Sequence, residues 1–184
     1  MAAVAAMGLA LACTLSTPAR ADDYTDVGQL IRSGKLVEAQ AKADAYLAGK
    51  PRDPQMRFLK GVIQTEAGKT DDAIVTLNAL TQEYPELPEP YNNLAALYAG
   101  QNQYDKARTA LEMAIRINPS YATAHENLGD VYAKLASQSY SKALQLDSNN
   151  KLAGQKLVLL KEVLTPPAKP TKGGAAKPAP AASK

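Results

Sequence analysis

The sequence predicts an all-α protein built from stacked two-helix hairpins, and two observations carry that expectation. The first is the stretch 88–121, PEPYNNLAALYAGQNQYDKARTALEMAIRINPSY. Tyr91, Leu94, Leu97 and Tyr98 fall on one helical face, the polar cluster Gly100 to Gln103 interrupts it, and Ala107, Leu111, Ala114 and Ile115 mark a second helix that Asn118-Pro119 stops. The second is recurrence, because the same spacing of small and large apolar residues returns at one fixed interval on the N-terminal side, with Ala73 and then Ala39 answering to Ala107. Two antiparallel helices approach closely only where small residues meet large ones. A single hairpin of this kind also leaves an apolar face that only a neighbouring hairpin can cover.

Numbering the unit from Pro88 puts Tyr91, Leu94, Ala95, Tyr98, Ala107, Leu111, Ala114 and Pro119 at positions 4, 7, 8, 11, 20, 24, 27 and 32. This pattern closely resembles the tetratricopeptide repeat (TPR). The resemblance implies a right-handed helical-hairpin solenoid, with a closing helix and a disordered tail expected after it.

Residues 1–21 are apolar and alanine-rich, end in Ala19-Arg20-Ala21 and are followed by Asp22-Asp23, the pattern of a secretory signal peptide cleaved after Ala21. The expected location is therefore periplasmic, in an exported protein of bacterial type, with a lipoprotein site at Cys13 as the minor alternative. A chain starting at Asp22 would contain no thiol, since Cys13 is the single cysteine.

Residues 22–53 read as a degenerate first repeat. Val27 takes position 8, Gly34 the inter-helix turn, and Ala39, Ala43, Tyr46 and Pro51 the later positions, while Asp26 replaces the usual leucine at position 7. Residues 54–87 form the second repeat, with Gly61 at position 8 and Ala73, Leu77, Leu80 and Pro85 in register; Lys60 departs at position 7. Residues 88–121 are the third. The fourth, 122–149, begins in register with His125, Leu128, Gly129 and Tyr132, then loses five residues where the turn belongs. Leu128, Tyr132, Leu135, Ser139, Ala143 and Leu146 then follow one helical stripe, which predicts a single helix over 122–147.

Residues 150–164 read as a capping helix. Its run Leu157-Val158-Leu159-Leu160 either packs against Tyr140 and Leu144 or offers a surface for weak self-association. Residues 165–184 hold five prolines and no acidic or large apolar residue, a composition that predicts disorder.

Charge excludes some functions. The chain carries a formal +3, but the repeat region 22–164 has 18 acidic and 16 basic residues, a net charge of about −2, so no basic face points to nucleic acid. Gly68-Lys69-Thr70 resembles the end of a phosphate-binding loop, yet Ile63 stands where that loop requires glycine. His125 is the lone histidine, too little for a metal site or a catalytic triad. Asp71-Asp72 fall where first-turn acids favour a helix dipole. The reading is a non-enzyme with no cofactor, no metal and no small-molecule substrate.

Binding remains. The resemblance implies that first helices line a concave groove through positions 2, 5, 6, 9, 12 and 13. Carried over, these positions place Phe58, Val62, Glu89, Asn92, Asn93, Asn127 and Asp130 in it, together with Ala96, Glu126 and their neighbours. Asn93 and Asn127 share position 6, where peptide-clamping members use an amide that both donates and accepts. The lysine and arginine cluster of chaperone-binding members is absent from these positions. The partner expected is a protein or peptide, held by a non-catalytic adaptor; the rival reading is a self-associating or envelope-attached scaffold using the capping helix and basic tail.

Overall fold

The computed structural model describes residues 20–165. Within them lie eight α-helices and no strand: α1 Arg20–Arg32, α2 Leu36–Gly49, α3 Pro54–Glu66, α4 Thr70–Glu83, α5 Pro88–Gly100, α6 Tyr104–Ile117, α7 Ala122–Leu146 and α8 Lys151–Leu164. The expected signal segment lies outside the described residues but for Arg20 and Ala21, the first two of α1. Cys13 and the tail beyond Thr165 are outside as well.

The repeat register is visible in the helix ends. The first helices α3, α5 and α7 start at Pro54, Pro88 and Ala122, and the second helices α2, α4 and α6 at Leu36, Thr70 and Tyr104, one constant step in both series. The turn chemistry repeats with it. Gly34, Gly68 and Asn102 occupy the same register position and all have positive φ, at 72°, 71° and 59°. At each, the amide of the following residue reaches back five residues at 2.9 Å: Lys35 to Leu30, Lys69 to Gln64 and Gln103 to Tyr98. That is a Schellman closure, in which a left-handed residue satisfies carbonyls the ending helix leaves open.

The described residues form two compact units, 20–93 and 94–165, divided within α5. In the first, α1 packs on α2 and α3, and α3 on α4. Its core holds Val27, Ala39, Ala43, Met56 and Ile63, with Tyr24, Leu30, Tyr46 and Leu59 against it. Helices α3 and α4 meet at Gly61, where an added Cβ would stand 2.8 Å from Leu77 Cδ2. Leu77 itself is fully buried.

The two charged departures at position 7 are paired. Asp26 accepts from Lys42, and Lys60 Nζ lies 2.7 Å from Asp44 Oδ1. Burial alone would raise the Asp44 pKa, but hydrogen bonds from Lys60 and Gln40 outweigh it and hold the carboxyl below its ordinary range. Asp53 ties three helices. It caps α3 by accepting from the Met56 amide at 2.9 Å, and it accepts from Tyr24 of α1 at 2.6 Å and Tyr46 of α2 at 3.2 Å. Burial raises its pKa, yet those hydrogen bonds prevail and keep it low. Burial, then the bond to Asp53, pushes the Tyr24 hydroxyl well above its usual value.

In the second unit α6 packs on α7 and α7 on α8. Leu94, Ala95, Leu97, Ala107, Leu111, Ala114, Ala124, Val131 and Ala153 are buried. The stripe read as one helix over 122–147 is α7, which runs 25 residues without a break through Ala136 to Ser139. Ala136 stands where Gly34, Gly68 and Asn102 end the earlier helices. A left-handed backbone is costly for alanine, so no closure forms and the helix continues. α8 is capped by Asn150, whose side chain accepts from the Ala153 amide at 3.0 Å. Of its apolar run, Leu157 and Leu160 are half-buried, whereas Val158 and Leu159 are exposed. Lys156 Nζ lies 5.3 Å from the centre of the Tyr140 ring.

Candidate functional site

In the first unit, Phe58 and Val62 are half-buried on α3, and Glu89 is exposed at the start of α5. Asn92 is buried at 7% exposure, and Asn93 beside it is half-buried. Asn93 is therefore the more accessible of the two amides.

The second unit brings Asn127 and Asp130 together in a recess of about 420 Å³. Ala96 and Ala99 of α5 line it above the buried Ala95, Leu111 and Val131, with Asn102 of the turn and Tyr104, the first residue of α6, on its rim. Tyr104 Oη donates to Asn102 Oδ1 at 2.7 Å, which fixes both side chains on that rim. Ala96 and Ala99, with their small side chains, leave room beside α5 for a main chain to approach. Asn127 and Asp130, one helical turn apart, set an amide and a carboxylate over that surface. Such an arrangement can take up extended backbone with small or apolar side chains.

Lys134 also lines the recess. It stands at position 13 of the fourth repeat, one of the groove positions the repeat resemblance implies, so its place was legible in the register. Asn102 and Tyr104 were not, because neither the inter-helix turn nor the start of the second helix carries a groove position. His125 is exposed, with Nε2 3.0 Å from the Pro119 carbonyl oxygen, and is spent on the turn before α7. Among the described residues no three His, Cys, Asp or Glu side chains converge as metal ligands, and no helix is long and apolar enough to cross a membrane.

Comparison with known proteins gives a consistent answer. A family model described as "Tetratricopeptide repeat" matches residues 30–97 and one described as "TPR repeat" matches 99–136, together more than half of the chain. The chloroplastic tetratricopeptide repeat domain-containing protein PYG7 of Arabidopsis thaliana is 37% identical over 82 residues, covering 42% of this chain and 27% of PYG7. The chain spans well under half the length of the curated relatives it matches. Among solved structures, TTC0263, a thermophilic TPR protein of Thermus thermophilus, is similar at a TM-score of 0.59 and 23% identity, covering 78% of this chain and 82% of that one. The first TPR of Spaghetti (RPAP3), bound to the HSP90 peptide SRMEEVD, is similar at 0.58 and 16% identity, covering 62% and 90%.

Proposed function

Because this chain belongs to the tetratricopeptide-repeat family, whose repeats are in general protein-interaction modules, we propose that it is a non-catalytic adaptor that binds a peptide or partner protein in the periplasm or cell envelope. The observation that carries the reading is the alanine-lined recess with Asn127 over it. A structural neighbour of this chain holds a peptide, which supports the same use of the fold. Asn93 takes the equivalent register position in the first unit and has the same role there.

The envelope location rests on the signal pattern of residues 1–21. Mass spectrometry of exported protein is expected to find Asp22 first; a lipid-bearing Cys13 at the N-terminus would move the protein to a membrane surface.

The binding site is tested by placing a photo-crosslinking residue at Ala96, which is exposed and lines the recess. Irradiation in native envelope is expected to yield an adduct with a partner protein, and Asn127→Ala should reduce it. No adduct, or one indifferent to Asn127, would falsify the site.

A second reading is favoured by the exposure of Val158 and Leu159 beside half-buried Leu157 and Leu160: self-association through α8. Sizing the protein with and without residues 151–184 separates it from the adaptor reading. A mass that falls to the monomer only on truncation supports the scaffold.

A further inference from the structure

A second recess of about 490 Å³ adjoins the first, sharing Asn102, Tyr104 and Lys134 with it, and runs down α7 to α8. The continuity of α7 explains it. Asn127, Asp130, Lys134, Gln138, Ser141 and Gln145 are spaced by three and four residues and form one polar stripe on that helix. Had the inter-helix turn been kept, the stripe would end near Lys134. From Asn127 to Gln145 it spans roughly 27 Å at 1.5 Å per residue.

Charge changes along this stripe. Among the described residues Asp130 is the one acid lining the two recesses, and it lies at the alanine end. Lys134 stands at the junction, one turn from Asp130, and Lys142 and Lys161, the latter on α8, at the other end. Among the described residues these three lysines make no ion pair and no ring contact, whereas Lys35, Lys42 and Lys60 are paired with carboxylates and Lys50, Lys106 and Lys156 lie over tyrosine rings. Three unpaired ammonium groups converging on one recess leave a positive potential that a like-charged ligand avoids and an anionic one relieves.

We propose that the second unit takes an acidic, extended segment of a partner protein along α7, with small or apolar residues against Ala96 and Ala99 and carboxylates at Lys134, Lys142 and Lys161. This deepens the adaptor reading and rests on it. The alanine wall and the amides of Asn127 and Gln138 suit a polypeptide, since an amide can donate to and accept from a main chain at once. A polyanion without apolar groups would leave that wall uncovered.

The probe is an amidated peptide of roughly eight residues, enough to cover the stripe at about 3.3 Å per residue, with a leucine- and alanine-rich half followed by glutamates. Amidation removes the terminal carboxylate, so the side chains alone supply the charge. Fluorescence anisotropy with the full chain is expected to show binding that weakens with salt, and little binding of the same peptide with lysines for glutamates. K142Q/K161Q, both at exposed positions, should weaken binding roughly fivefold with an unchanged circular dichroism spectrum. No binding, equal affinity for the two peptides, equal affinity for polyphosphate, or no effect of K142Q/K161Q overturns the proposal. If the Ala96 photo-adduct with the native partner persists undiminished in K142Q/K161Q, the acidic extension is wrong and the adaptor reading stands.

Discussion

Gly61 and Gly68 lie on one hairpin and are glycine for unrelated reasons. At Gly68 an added Cβ meets nothing within 4 Å, but φ is +71°, so the whole cost of alanine is in the backbone. Gly68→Ala is expected to lose about 1 to 2 kcal/mol, the usual cost of left-handed alanine. At Gly61 the backbone is ordinary, and the obstacle is Leu77 Cδ2 at 2.8 Å. Gly61→Ala should cost about 1 to 3 kcal/mol by overpacking, and the second change Leu77→Val should recover part of it. Thermal unfolding of the two single variants, and of each combined with Leu77→Val, checks this, because rescue by Leu77→Val of Gly68→Ala as well would remove the distinction. Ala107, fully buried at position 20, follows the steric rule too: Ala107→Leu should lose about 1 to 3 kcal/mol, and an unchanged melting temperature would contradict the register. Small-residue positions such as these were legible, since spacing alone marks where helices touch. The pairing of Asp26 with Lys42 and of Lys60 with Asp44 was not. Each pair joins neighbouring helices at a sequence separation that neither the helical period nor the repeat period marks.

At the scale of the element, α7 shows how one missing signal reshapes a repeat. The earlier first helices stop because Gly34, Gly68 and Asn102 can turn left-handed; Ala136 in the same place cannot do so cheaply, and the stripe of apolar residues runs on. Its continuity was legible from that stripe. What the stripe did not reveal was the opposite face, where polar residues with no common chemistry become one rail only when the helix is unbroken. The fusion also leaves a flaw: Ser137 Oγ is shielded from solvent with no hydrogen-bond partner among the described residues. Replacing it removes an unsatisfied group and improves helix propensity, so Ser137→Ala is expected to stabilise the protein by about 1 kcal/mol. Chemical denaturation reads this directly. A loss of stability would mean that the hydroxyl has a partner in solution. Inserting five residues with a glycine at the position of Ala136 should restore two helices and abolish the second recess, which hydrogen exchange across 134–141 would register as lost protection.

For the molecule as a whole, pH should act unevenly. Asp44, Asp53 and Glu83 all belong to residues 20–93, and each is held below its ordinary range. For Glu83 the cause is the paired hydrogen bonds from Arg57 at 2.8 and 2.9 Å; for Asp44 and Asp53 it is hydrogen bonding that overcomes burial. A carboxyl whose folded pKa is depressed adds stability that is fully present above its unfolded value, near 4, and is lost as pH falls through the folded value. Protonating Asp53 removes the charge that strengthens the bonds it accepts from Tyr24, Tyr46 and the Met56 amide, so the common anchor of α1, α2 and α3 weakens. Hydrogen exchange followed from neutral pH into acid is therefore expected to show amides of α1 to α4 losing protection before those of α6 and α7. Asp53→Asn should flatten that acid dependence while lowering stability at neutral pH, because an amide accepts the capping bond less strongly than a carboxylate. Simultaneous loss across both units would show that they unfold as one, and an acid response unaltered in Asp53→Asn would assign it to other carboxylates. The binding surface in residues 94–165 should, on this account, remain folded in mild acid where the first unit has begun to open.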